Sequence, residues 1–175
     1  MALSEQIKKT INGIRDQFPT TQALLIPLLH EIQHEKGWVS MDSMREAAEF
    51  LELPLNRVRE VATFYTMFKM EPQGKVDIQV CGNISCWLNG SEKLVHHLEK
   101  RYGVKCGETT ADGRFTLSEV ECLASCGTAP VVQLNEDYHE SMSIPKLNEL
   151  LEMAERDLSQ NKVVGKSTYQ PGVWP

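Results

Sequence analysis

The hydrophobic pattern of this 175-residue chain changes once, at Glu71-Pro72-Gln73-Gly74. Before this stretch, apolar residues recur every three or four positions, which is the spacing of amphipathic helices. After it, Val76–Val80 alternates like a strand, and helical and strand patterns then follow each other. A stretch with Pro and Gly between two such regions is typical of a linker. We therefore expect a helical domain over residues 1–71, an α/β domain over residues 75–160 and an irregular tail over residues 161–175.

Four helices are predicted in the first region from their apolar spacing and their start and stop signals. The signals are Pro19 at the end of the first helix, Gly37 at the end of the second, Ser40 as the cap of the third and Pro54 at the start of the fourth. Pro27 lies within the second pattern, so that helix is expected to kink there or to begin near it. None of the four helices has a core of its own, and we expect them to pack as a small bundle.

The second region is predicted to contain strands and helices in the order β-α-β-β-β-α. The predicted strands are Val76–Val80, Phe115–Val120, Val131–Leu134 and residues 138–141, and the helices cover Leu94–Tyr102 and Ile144–Ala154. A turn signal, Asn135-Glu136-Asp137, separates the last two strands. This order is typical of an α/β sandwich with a mixed sheet, so the whole chain is expected to be an α+β protein with an N-terminal helical bundle.

Composition excludes some classes of function. The net charge of −6 argues against a nucleic-acid-binding protein, which usually carries a basic patch or a basic total. No run approaches the roughly 20 apolar residues that span a bilayer, and the N-terminus has no apolar segment of signal-peptide length. We therefore expect an intracellular protein without a membrane span. In that compartment, cysteines are more often metal ligands, catalytic thiols or buried thiols than disulfides.

Four of the five cysteines form two pairs, Cys81-x4-Cys86 and Cys122-x3-Cys126. Each pair begins where a predicted strand ends, in a loop of small or polar residues. Strand ends fix thiolates in space, and irregular loops leave backbone N–H groups free to point at sulfur. The spacing alone fits a [2Fe–2S] cluster and a structural zinc site about equally well. Buried structural thiols and a disulfide fit it less well.

The segment His30-Glu31-Ile32-Gln33-His34 matches the H-E-x-x-H motif of zinc proteases, in which the glutamate is the general base. A motif of five residues also arises by chance. A catalytic zinc ion needs a third protein ligand and a substrate cleft, and the predicted bundle offers no edge strand for a peptide. We therefore expect a solvated helix face with incidental histidines.

Several longer motifs occur together in one order. They are Gly37-Trp38-Val39, Val61-Ala62-Thr63-Phe64-Tyr65, Val80-Cys81-Gly82-Asn83-Ile84-Ser85-Cys86, Gly107-Glu108-Thr109-Thr110, Phe115-Thr116-Leu117, Glu121-Cys122-Leu123 and Cys126 with Ala129-Pro130. In order and spacing they closely resemble the NuoE family, the thioredoxin-like [2Fe–2S] subunit of bacterial complex I. The resemblance covers about residues 10–155.

This resemblance implies a thioredoxin-like fold for the α/β domain and a [2Fe–2S] cluster held by Cys81, Cys86, Cys122 and Cys126. It also implies that the cluster exchanges electrons with FMN on a partner flavoprotein subunit (NuoF-like) that oxidises NADH. The chain would then be a subunit of NADH:quinone oxidoreductase and not a complete enzyme by itself. As part of this larger respiratory complex, it would lie peripherally on the cytoplasmic side of the inner membrane.

The resemblance leaves alternatives and raises three local expectations. Equivalent subunits occur in NAD-reducing hydrogenases and NAD-dependent formate dehydrogenases, and a structural zinc protein is a more distant alternative. Cys106 falls where relatives often have another residue, and we predict a free thiol that is not a ligand. Ala124 would be strained if its backbone needs a positive φ. By analogy with thioredoxin-like folds, the Ala129–Pro130 peptide bond is predicted to be cis.

Overall fold

The computed structural model describes residues 3–162 and residue 164, and they fall into two compact units. The first contains residues 3–72, and the second contains residues 73–162 with Val164. Each unit has its own hydrophobic core. The predicted α+β class is confirmed, because helices come first in the chain and a mixed sheet follows. Most of the predicted tail, 161–175, lies outside the described residues.

Among residues 3–72, the structure has four α-helices, and their bounds follow the predicted signals. They are α1 (Glu5–Ile14), α2 (Leu25–Lys36), α3 (Met41–Leu51) and α4 (Leu55–Phe64), with short 3-10 helices at Arg15–Gln17 and Thr21–Leu24. Thr20 and Ser40 accept hydrogen bonds from backbone N–H groups in the first turns that follow them. Gly37 ends α2 with a φ of +81°. Pro27 lies in the first turn of α2, where a proline needs no kink.

The apolar faces of these helices meet in one core, as expected for a bundle. The fully buried residues of that core include Ile11, Leu24, Leu25, Leu28, Leu29, Ile32 and Leu51. No helix in the described part of the chain is long and apolar enough to cross a bilayer.

The H-E-x-x-H segment lies within α2, and its glutamate faces the core. Glu31 is only 6% exposed, and its Oε1 atom is buried without a hydrogen-bond partner among the described residues. The ring of His30 packs edge-on against the ring of Phe68, with 5.0 Å between the ring centroids. His34 is exposed. The expectation of a solvated helix face is therefore wrong for Glu31. A general base must reach its substrate proton, and a carboxylate inside a bundle core has no such access.

The second unit is built on a four-stranded sheet in the order β2-β1-β3-β4. Its elements are β1 (Val76–Cys81), α5 (Ile84–Leu88), α6 (Ser91–Tyr102), β2 (Phe115–Val120), β3 (Val132–Leu134), β4 (Asp137–His139) and α7 (Ile144–Ser159). β1 pairs parallel with β2 and antiparallel with β3, so the sheet is mixed. α6 packs on β1 and β2 and beside α7. The last predicted strand, 138–141, ends early at His139, and Ser141 adopts a φ of +49°.

The parallel pairing of β1 with β2 brings their carboxyl ends to one edge of the sheet. Cys81 pairs with Val120, so Cys122 leaves β2 at the edge where Cys81 ends β1. β3 starts at the same edge because it runs antiparallel to β1, with Val132 opposite Val80. The segment 121–131 therefore begins and ends beside Cys81.

Replacement of Glu31 by leucine is expected to raise the free energy of unfolding by about 1–2 kcal/mol. The change removes an unsatisfied carboxylate oxygen from the core and adds apolar contacts. Denaturant unfolding of the full chain followed by circular dichroism measures the effect. Glu49→Leu on α3 is the control, because Glu49 is exposed and its replacement should change stability by no more than about 0.5 kcal/mol. A clear loss of stability in Glu31→Leu alone would contradict this account.

Replacement of Gly74 by alanine is expected to destabilise the second unit by about 1–3 kcal/mol. A Cβ atom at Gly74 would lie 2.6–2.9 Å from the backbone atoms of Phe115, and backbone in a strand cannot move aside as a side chain can. Gly127→Ala is the matched control, because a Cβ atom there meets nothing within 4 Å. Equal unfolding midpoints for the two variants would show that the close approach at Gly74 is not required.

Candidate metal centre

Four thiols converge at the sheet edge where β1 and β2 end. Cys81 is the last residue of β1, Cys86 lies on α5, Cys122 follows β2, and Cys126 begins the short 3-10 helix Cys126–Thr128. All four are free thiols, the first two buried and the last two exposed. The structure thus brings together the four cysteines that the sequence singled out.

Cys81 and Cys86 form the buried half of this group. Each is 2% exposed, and with Val131 they form a small apolar cluster apart from the main core of the sheet. Burial raises the pKa of Cys86 to about 11, and a hydrogen bond with the Cys81 thiol adds to the effect. Since the thiolate is disfavoured here, Cys86 loses its proton readily only when a nearby positive charge compensates it, as a bound metal does.

Cys122 and Cys126 form the exposed half. Their Sγ atoms lie 3.6 Å apart. Two thiolates on one tetrahedral metal ion, each at the zinc–sulfur distance of about 2.3 Å, lie about 3.8 Å from each other. The pair is therefore spaced to hold one metal atom. The hydrogen bond with Cys122 raises the pKa of Cys126.

Ala124 lies between these two cysteines in a strained conformation. Its φ is +59°, in the left-handed region where a residue with a Cβ atom is strained. In this conformation its backbone N–H donates to Cys122 Sγ at 3.3 Å. Donors aimed at sulfur stabilise a metal-bound thiolate, so the strain at Ala124 coincides with a contact that a metal centre uses.

Ser85 connects the two halves. Its hydroxyl hydrogen-bonds to the Cys126 thiol, which also interacts electrostatically with Cys81. α5 packs against the Cys126–Thr128 turn. Within residues 3–162 and residue 164, no three or more His, Cys, Asp or Glu side chains are grouped closely enough to hold a single metal ion. Four thiols in two pairs fit a cluster of two metal atoms such as [2Fe–2S], which takes four cysteine ligands.

α5 itself was not predicted, because the residues between Cys81 and Cys86 were interpreted as an irregular loop. The helix begins at Ile84, whose backbone N–H donates to the side chain of Asn83 at 2.9 Å. A helix of five residues is too short to show an apolar period. Asn83, a favoured capping residue, is the signal that could have located it.

Cys106 lies apart from the four converging thiols. It is half-buried against the main core of the second unit, and burial together with the charges of Glu119 and Glu99 raises the pKa of its thiol. The Ala129–Pro130 peptide bond is cis, as predicted. It lies directly before Val131, whose carbonyl oxygen accepts a hydrogen bond from the backbone N–H of Cys81 at 3.1 Å.

Known proteins resemble this chain in both sequence and fold. The family model of the thioredoxin-like [2Fe–2S] ferredoxin matches residues 11–155. A NADH-quinone oxidoreductase subunit from Rickettsia typhi is 44% identical over 138 residues, which cover 78% of this chain and 81% of that protein. A NADH-quinone oxidoreductase subunit of the same kind from Rhizobium meliloti is 42% identical over 146 residues, or 83% of this chain and 87% of that protein.

A solved structure of a NAD+-reducing [NiFe]-hydrogenase in the air-oxidized state is similar with a TM-score of 0.68 and 18% identity. The match covers 83% of this chain and 26% of that chain, and at this identity it shows a shared fold alone. The chain belongs to the thioredoxin-like [2Fe–2S] ferredoxin family, together with these two NADH-quinone oxidoreductase subunits.

Proposed function

We propose that this chain is the [2Fe–2S] electron-transfer subunit of a NADH:quinone oxidoreductase, and that Cys81, Cys86, Cys122 and Cys126 hold the cluster. The observation that carries the proposal is the convergence of these four free thiols, in two pairs, at one edge of the sheet. The relatives from Rickettsia typhi and Rhizobium meliloti, both subunits of such an oxidoreductase, support the choice of enzyme. In this proposal, residues 75–160 form the cluster-binding domain and residues 1–71 form the helical domain.

The residues around the thiols suit a one-electron centre. When bound, a [2Fe–2S] cluster takes up and releases one electron at a time. The buried pair, Cys81 and Cys86, keeps water away from one side of the site. Ala124 N–H and the Ser85 hydroxyl donate to sulfur on the other side. These donors offset negative charge on the sulfurs and so favour the reduced state, while the exposed pair leaves that side open to a redox partner.

The partner in this proposal is a flavoprotein subunit (NuoF-like) that binds FMN and NADH. NADH delivers two electrons as a hydride, whereas a cluster takes one at a time, so a flavin must stand between them. This chain contains no G-x-G-x-x-G motif for a dinucleotide, and nucleotide binding is therefore assigned to the partner. In this proposal, the chain belongs to the larger respiratory complex and lies peripherally on the cytoplasmic side of the inner membrane.

A NAD-reducing hydrogenase is the second candidate for the parent enzyme. Its support is the fold shared with the hydrogenase structure at a TM-score of 0.68. The relatives at 44% and 42% identity favour the quinone reductase, because close sequence similarity is more specific than a shared fold. The proteins that copurify with the native chain distinguish the two, since a hydrogenase module brings a nickel–iron subunit.

Replacement of any one of the four proposed ligands by serine is expected to weaken or abolish cluster binding. A serine oxygen is a harder ligand and a poorer one for iron in this role. Iron and sulfide content per chain, together with the visible absorption spectrum, measures the loss. Cys106→Ser is the matched control and should keep the full cluster. Full iron and sulfide in Cys122→Ser, or their loss in Cys106→Ser, would contradict the ligand assignment.

A further inference from the structure

Cys126 lies in a tight turn that runs from Ser125 to Thr128. The turn is closed by its backbone and by its side chains. Thr128 N donates to the carbonyl oxygen of Ser125 at 3.2 Å, and the two hydroxyl oxygens lie 2.8 Å apart. Hydroxyl groups that bond within a turn in this way give it a defined geometry. The direction in which the Cys126 side chain leaves the chain therefore depends on how firmly this turn is held.

The loop that contains the turn gains little from apolar packing. Cys122, Ala124, Cys126 and Gly127 are all exposed. Ala124 also has the strained φ of +59°. A strained backbone conformation persists only where neighbouring groups hold it. The loop therefore needs hydrogen-bonding partners from another part of the fold.

The segment 140–142, which follows β4, supplies such partners through its backbone. Ser141 N donates to the carbonyl oxygen of Thr128 at 2.7 Å, and Met142 N donates to that of Pro130 at 3.0 Å. The Met142 side chain is buried and belongs to the core of the second unit. The segment 140–142 thus ties the end of the loop to that core.

The side chain of Glu140 extends the same support to the start of the turn. The Ser125 hydroxyl donates to the Glu140 carboxylate. Because a hydroxyl has only one proton, the Ser125 oxygen accepts from the Thr128 hydroxyl, and a chain of hydrogen bonds runs from Thr128 through Ser125 to Glu140. The Ser125 hydroxyl, and then the Thr128 hydroxyl, lower the pKa of the Glu140 carboxyl, which is therefore ionised at neutral pH. Hydrogen bonds to a charged acceptor are roughly twice as strong as those between neutral groups.

We propose that Glu140 is a positioning residue for the metal centre, and that it holds Cys126 at the spacing from Cys122 that a shared metal atom needs. The inference rests on the function proposed above, which makes both cysteines ligands. Glu140 acts on the Cys126 sulfur through Ser125, the residue directly before it. Loss of a partner that orients a metal ligand typically lowers metal affinity by roughly 10–100-fold.

The test uses the full chain loaded with its cluster. It measures iron release to an excess of a chelator, followed by the loss of visible absorption. Glu140→Ala removes the acceptor for Ser125 and should release iron about tenfold faster than the unmodified chain. Glu140→Gln keeps an acceptor oxygen without the charge and should stay within about threefold of the unmodified rate. Glu149→Ala on α7 also replaces an exposed glutamate, and this matched control should have no effect.

Electron paramagnetic resonance of the reduced cluster gives a readout that a general loss of stability would not change. Without the hydrogen bond from Ser125, Cys126 takes more than one arrangement around the metal. The signal of Glu140→Ala should therefore broaden, while Glu140→Gln should keep the line shape of the unmodified chain. An unchanged line shape in Glu140→Ala would overturn the positioning role.

Ser125→Ala breaks the same contact from the other side. It should also speed iron release. The double variant with Glu140→Ala should release iron no faster than the faster single variant, because both changes remove one interaction. Effects that multiply would show that the two residues act independently and would overturn the inference. If Glu140→Ala does not fold, Ser125→Ala carries the test, and unchanged iron release in that variant overturns the inference.

The outcomes separate this inference from the proposed function. If the unmodified chain holds its cluster and Glu140→Ala releases iron at the same rate, the positioning role is wrong and the function stands. Equal acceleration in Glu140→Ala and Glu140→Gln would assign the effect to charge, and it would also overturn the positioning role. If the unmodified chain binds no iron and sulfide, the function proposed above fails, and this inference fails with it.

Discussion

The parallel pairing of β1 with β2 is the constraint on which the site depends. Residues 82–114 separate the two strands in the chain, yet the pairing places Cys81 opposite Val120. Both cysteine pairs therefore lie at the same edge of the sheet. A register shift of one residue would reverse the faces of β1 relative to its neighbours and change which residue of β2 lies opposite Cys81. The antiparallel β3 then returns the chain to that edge, where Val131 accepts the backbone hydrogen bond of Cys81.

The site is asymmetric, and the asymmetry has a functional consequence. Of the two buried thiols, Cys86 lies in an environment that raises its pKa, so its thiolate needs a compensating positive charge. The exposed thiols lie on a loop whose backbone is strained at Ala124. The backbone N–H of Ala124 donates to Cys122 Sγ. One side of the site thus holds a metal centre away from water, and the other side meets the solvent. A redox partner can therefore approach from one direction, the side that α5 also borders.

Much of the fold could be predicted because local signals and tertiary packing agree. β2 was predicted with its observed bounds, and Ser40, Gly37 and Pro54 marked helix ends correctly, since caps act within a single turn. Three features were not predicted from the sequence. α5 is too short to show a period, the burial of Glu31 depends on how α2 packs in the bundle, and the contact between Ser85 and Cys126 joins residues distant in the chain. Spacing alone also left iron and zinc open, and only the family resemblance favoured iron.

The central claim is that the four thiols hold a [2Fe–2S] cluster, and spectroscopy of the purified full chain tests it most directly. Absorption and electron paramagnetic resonance spectra are recorded before and after reduction with dithionite. The account predicts a red-brown protein that is silent in paramagnetic resonance when oxidised and gains the signal of one unpaired electron when reduced. A colourless protein that contains stoichiometric zinc, and is unchanged by dithionite, would contradict it.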